Sequence, residues 1–113
     1  MQTDTSPDSF DDGHRDVVVW SITTTTPTEE AAQTIARAAV TEKLAAGAFI
    51  TGPIKSVFWH LGESGEGQEW RVELRTSTAS RDKLAARIKE LHPWDNPELT
   101  GQPIEWCPDE YAE

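Results

Sequence analysis

The chain contains one cysteine in 113 residues, Cys107, so no disulfide can close within it and nothing points to an oxidising compartment. Basic residues are scarce as well: ten Lys and Arg stand against twenty Asp and Glu, for a formal net charge of -10. This balance argues against nucleic acid and against anionic membrane surfaces as partners, since both require clustered cations. No apolar run approaches the roughly 20 residues that span a bilayer, and the first residues lack the basic start and apolar stretch of a secretory signal. A cytoplasmic protein is the expectation. The chain also has no H-x-x-x-H or C-x-x-C spacing, no nucleophile elbow and no glycine-rich loop leading into a helix. Neither a local zinc site nor a nucleotide cradle is therefore encoded by spacing alone.

What the chain does have fits one small domain, whose stability contacts between copies could strengthen. Residues 1–15 carry Asp4, Asp8, Asp11 and Asp12 among Ser, Thr and Pro with little apolar content. They read as a disordered acidic tail, because so little burial cannot offset the entropy of ordering. The domain is expected over 16–113.

It opens on Asp16-Val17-Val18-Val19-Trp20-Ser21-Ile22, a β-branched run with the density of a central strand. Thr26-Pro27-Thr28-Glu29 then reads as a helix start, with Thr26 as N-cap, Pro27 at the first helical position and Glu29 closing a capping box. Ala32, Ile35, Ala36, Ala39, Val40 and Leu44 fall on one helical stripe, and Gly47 stands where that helix should stop. A second strand runs from Ala48 to Leu61, with a bulge, bend or edge position expected at Gly52-Pro53. Gly62 to Gly67 read as a hairpin loop by composition. Trp70, Val72 and Leu74 alternate with Arg71, Glu73 and Arg75 in a third strand. Ser77 to Ser80 cap a second helix marked by Leu84, Ile88 and Leu91, which Pro93 must end. Leu99 to Trp106 can form a short last strand.

The order β-α-β-β-α-β predicts an α+β, ferredoxin-like domain with one antiparallel sheet and both helices on one face. The other face is expected to carry Trp, Phe and Leu and to need cover, most economically from further copies of the chain.

The stretch with the most chemistry is His92-Pro93-Trp94-Asp95-Asn96-Pro97-Glu98. Each proline fixes its own φ and pushes the preceding residue out of the helical region, so His92 and Asn96 are held extended. A loop this stiff and this polar is a candidate site; a structural corner is the plainer reading.

Several of these segments resemble the CutA family of divalent-cation tolerance proteins. The resemblance is carried by Glu42-Lys43-Leu44-Ala45-Ala46, Ser56-Val57-Phe58-Trp59, Leu74-Arg75-Thr76, and Leu91-His92-Pro93-Trp94 with Pro97-Glu98. Pro103-Ile104 and Asp109-Glu110-Tyr111 fit the family's tail. The resemblance implies a ferredoxin-like fold assembled as a homotrimer. It also implies a non-catalytic role in divalent-metal binding, tolerance or response, copper above all. Two alternatives stay open: an enzyme on the same scaffold, acting on a small polar metabolite in an inter-subunit cleft, and a PII-like adaptor for another protein. Gly47 stands where the family usually has the cysteine proposed as a copper ligand, and Trp94 replaces a more usual Tyr.

With that thiolate absent, the candidate ligands for a divalent ion such as Cu or Zn are His92 and Glu98 in the stiff loop and His60 in the second strand. Strand alternation puts Trp59 and His60 on opposite faces. Trp59, Glu73, Arg75, Trp94 and Trp106 are the candidates for a pocket or interface, where indoles offer large flat faces and the Glu73–Arg75 row could meet an anion. Cys107, with no cation beside it, reads as a small packed side chain.

Overall fold

The computed structural model of the chain describes residues 19–112. The segment expected as an acidic tail, and the first residues of the first strand, lie outside that range. Seven elements follow one another: β1 (Val19–Thr26), α1 (Glu29–Thr41), β2 (Gly47–His60), β3 (Glu63–Ser77), α2 (Thr78–Leu91), β4 (Leu99–Ile104) and a short α3 (Asp109–Ala112). The sheet is antiparallel throughout, in the order β2-β3-β1-β4. This is the expected ferredoxin-like arrangement, with α3 as an addition that the sequence reading did not contain.

The core lies between the sheet and the two long helices. Ile22, Val72 and Leu74 project from β1 and β3 onto Ala32, Ile35, Ala36 and Ala39 of α1 and Leu84 and Ile88 of α2. The alanines keep α1 low on the sheet, so the core gains density from close approach rather than from bulk. Three buried threonines face this layer, and each donates its hydroxyl to a backbone carbonyl at 2.7 Å: Thr24 to Glu98, Thr26 to Thr28 and Thr76 to Leu44. These bonds satisfy polar groups that would otherwise be costly to bury, and each ties a loop to the end of a strand.

Local chemistry shifts several boundaries from their expected places. The N-cap of α1 is Thr28, whose Oγ1 accepts from the Ala31 amide at 3.1 Å, while Thr26 remains in the strand. The helix also stops before Gly47. Lys43 adopts φ 64°, the Leu44 amide donates to Ala39 and the Lys43 amide to Val40, which closes a Schellman motif without glycine. Arg87 of α2 clasps this end, donating from Nε at 3.0 and 3.3 Å and from Nη2 at 3.0 Å to the Glu42 carboxylate. Those charge-assisted bonds hold the Glu42 carboxyl below its usual pKa and raise that of Arg87.

Gly62 to Gly67 are not a loop. The turn is two residues, Leu61 and Gly62, at φ 51° and 83°, between the paired His60 and Glu63. Gly65 and Gly67 lie inside β3 beneath the Phe58 ring, and a Cβ at Gly65 would sit 2.7 Å from Phe58 Cε1. Compositional loop signals here mark room for an aromatic ring. Gly52 has the same cause, since its Cβ would collide with the Trp70 indole; the expected irregularity is a register shift between Thr51 and Ile54, with a cis Gly52–Pro53 bond.

The hairpin of β2 and β3 is far longer than the sheet it serves. β1 pairs with β3 only over 70–77, so residues 54–69 leave the sheet as a two-stranded ribbon. At about 3.4 Å per residue the fourteen residues of β2 account for most of the 49 Å longest dimension. The radius of gyration is 16.7 Å, against about 13 Å for a compact chain of this size.

The sheet face away from the helices departs from expectation. Pairing register puts Trp70, Val72 and Leu74 on the helix side, so the bare face carries Ser21, Thr23, Arg71, Glu73 and Arg75, with Phe49 among them. The apolar surface expected there is on the ribbon instead, at Val57, Phe58, Trp59 and Leu61.

Candidate functional site

The stiff loop is joined to β1 at both ends. α2 ends at Leu91, and His92 turns extended (φ -76°, ψ 137°) before Pro93. Its side chain is 8% exposed, with Nε2 2.7 Å from the Thr25 carbonyl, and Nδ1 accepts from the Trp94 amide at 3.1 Å. These partners select the neutral tautomer with the proton on Nε2, which donates to Thr25. The ladder between β1 and β4 begins at Thr24 and Leu99, so the imidazole takes up the next carbonyl along β1. The Trp94 ring leans on it, 5.4 Å between centroids and tilted by 36°. At the far end the Glu98 carbonyl accepts from Thr24, while the Glu98 and Asp95 side chains are exposed. His92 and Glu98 are thus brought to adjacent residues of β1, the histidine with both ring nitrogens engaged.

The other candidates are spread over the molecule. His60 is exposed at the ribbon tip, paired with Glu63, and Trp59 beside it is on the opposite face and 73% exposed. Leu61, in the turn, is 87% exposed. Glu73 and Arg75 share the bare face. Arg75 donates from Nη1 to Ser21 Oγ at 2.9 Å, and its guanidinium lies 5.4 Å from the centroid of Phe49. Trp106, beyond β4, is 79% exposed, and Cys107 next to it is half-buried. Trp59, Trp94, Trp106 and the Glu73–Arg75 row do not converge within one protomer.

A resident metal ion does not fit the described donors of a single protomer. Among the described residues no three of His, Cys, Asp and Glu come together. His92 has no free nitrogen, and His60 with Glu63 supplies two donors where a tight site needs three or four.

The sequence reading missed a cavity of about 590 Å3 at the opposite end of the hairpin from the ribbon tip. Lys43, Phe49, Arg75 and Tyr111 contribute to its walls. Five other elements and the unexpected α3 contribute to it, so no local spacing announces it.

Fold and site together define a ferredoxin-like domain with an overlong hairpin and a fixed His-Pro-Trp corner. Residues 20–113 match the family of CutA1 divalent ion tolerance proteins, and the chain belongs to that family. The divalent-cation tolerance protein CutA of Thermus thermophilus is 42% identical over 80 residues, covering 71% of this chain and 78% of its own. A solved structure of the divalent cation tolerance protein (Cut A1) from Thermus thermophilus superposes with a TM-score of 0.79 at 39% identity, covering 82% of this chain and 90% of that one. The periplasmic divalent cation tolerance protein CutA of Archaeoglobus fulgidus gives a TM-score of 0.79 at 30% identity, covering 83% and 91%.

Proposed function

We propose that this chain is a homotrimer that takes part in binding or responding to divalent cations, copper first among them, without turning over a substrate. The observation that supports assembly is the ribbon: residues 54–69 project with Trp59 and Val57 on one face and Phe58 on the other, and no second layer among the described residues covers them. Exposed apolar patches of this kind mark interaction surfaces. In this reading the cation is cargo or signal, and its contacts fall where copies meet, because the described residues of one protomer bring too few donors together. His60 is the leading donor, since its ring is exposed and faces the same way as Glu63. The His92–Glu98 corner is the second candidate, and a cation there must displace one of the two backbone hydrogen bonds to the imidazole.

The cytoplasm is the proposed compartment, although the Archaeoglobus fulgidus relative is described as periplasmic. No helix among the described residues is long and apolar enough to cross a membrane.

Calorimetric titration with Cu(II) and Zn(II) tests the proposal. Wild type should bind Cu(II) with micromolar or tighter affinity, and His60→Ala should weaken it at least about tenfold, the expected effect of losing one ligand from a small set. Loss in His92→Ala with His60→Ala unaffected would move the site to the corner. No binding at micromolar concentrations by wild type would contradict the metal reading.

A further inference from the structure

The cavity at the root of the hairpin has a charge opposite to that of the chain. The protein carries a net charge of -10, yet among the described residues no Asp or Glu lines this cavity, while Lys43 and Arg75 both do. Arg75 has no carboxylate partner among the described residues: Ser21 takes one of its donors and Phe49 supports its plane, which leaves the rest of the guanidinium fork for another acceptor. Lys43 likewise forms no ion pair among the described residues. The acid beside it, Glu42, is bonded to Arg87 instead.

Backbone geometry fixes where both side chains start. Lys43 is the left-handed residue that ends α1. Arg75 is held in β3, its carbonyl accepting from the Ala46 amide at 2.8 Å. α2 begins at the same wall with Ser77 and Ser80, and the positive end of its dipole adds to the field. Val19, Val40 and Tyr111 add apolar surface to the lining. The volume of about 590 Å3 falls within the range of small-molecule sites.

We propose that this cavity binds a small organic oxyanion, a carboxylate or a phosphate monoester, whose charged end meets Arg75 and Lys43 and whose apolar body lies against Val40 and Tyr111. A planar guanidinium fork suits both headgroups, and a lysine adds a point charge without demanding geometry. The site is independent of the cation reading: it lies at the far end of the hairpin from His60 and uses none of the His92–Glu98 corner.

The test is amide chemical-shift titration of the full chain with 3-phenylpropanoate, phenyl phosphate and the neutral 3-phenylpropanamide. The proposal expects saturable shifts at 44–47 and 76–80 with at least one of the two anions, and none with the amide. The better of the two anions then identifies the headgroup. Arg75→Gln should weaken binding about tenfold or more, the usual consequence of losing a charge-assisted hydrogen bond. Lys43→Asn removes the second charge and keeps a residue that tolerates φ of 64°, so it should weaken binding by a few-fold even if Arg75→Gln does not fold. Equal binding of the amide, full affinity in both variants, or no saturable shift with either anion would overturn the proposal.

Discussion

The two halves of the β2–β3 hairpin have the same kind of backbone pairing and opposite environments. Near its root, Val72 and Leu74 are fully buried beneath α1 and α2. Beyond the bulge at Thr51 and Ile54, Val57 and Trp59 stand in solvent although the ladder continues unbroken to His60 and Glu63. Hydrogen bonding alone cannot account for the outer half, because an isolated two-stranded ribbon is marginal in water. The root is stabilised within the protomer, whereas the ribbon has the sequence of a strand pair that expects a neighbour. Its glycines agree with this, since Gly65 and Gly67 let the Phe58 ring lie flat across the pair.

The contrast predicts that substitutions in the root change unfolding and substitutions in the ribbon change mass. Leu84→Ala should have the largest effect on stability. Leu84 is fully buried, so losing its side chain should cost about 3 kcal/mol by chemical denaturation at fixed protein concentration. A loss below about 1 kcal/mol would mean that the root is less tightly packed than its burial indicates.

His92→Ala should follow, at about 2 kcal/mol, because it strands the Thr25 carbonyl and the Trp94 amide. Amide exchange should speed up at Trp94 and along the start of β4 while the ribbon is unchanged; faster exchange at the ribbon tip would join two regions that the hairpin contrast keeps apart.

The smallest expected effect concerns Glu42 and Arg87. The carboxyl is held below the ordinary 4.5 of a glutamate, so the bond stabilises the fold above that pH, and the contribution is lost as pH falls through the lowered value. Glu42→Gln should remove this part of the acid dependence, visible as a shallower fall of the unfolding midpoint below pH 4.5. Salt should blunt the difference, as for any exposed pair. An unchanged acid limb would show that the clasp does not hold in solution.

Much of the root was legible in the sequence, because period and burial agree there. The stripe Ala32, Ile35, Ala36 and Ala39 and the alternation through Trp70, Val72 and Leu74 each report a face that one protomer covers. Boundaries were less legible where two residues of the same type competed. Thr26 and Thr28 both suit a cap, and Thr28 takes the role while the Thr26 hydroxyl donates to its carbonyl. The run from Gly62 to Gly67 misled because its glycines answer to Phe58 across the strand pair, a contact that composition does not encode. Within the candidate site, the prolines correctly marked His92 as held extended, but not that its two nitrogens would be taken by β1 and by its own loop. The cavity at Lys43 and Arg75 was invisible, since these two distant residues meet there only through sheet pairing and a helix end without glycine.

The measurement closest to the central claim is the solution mass of wild type and of a Val57→Ser, Trp59→Ser double variant, by light scattering in the presence of a metal chelator. The account predicts three chain masses for wild type, persisting without metal. For the variant it predicts a lower mass, with the far-ultraviolet signature of the root retained. A wild-type protein of one chain mass at micromolar concentration, or a variant that assembles as well as wild type, would contradict it.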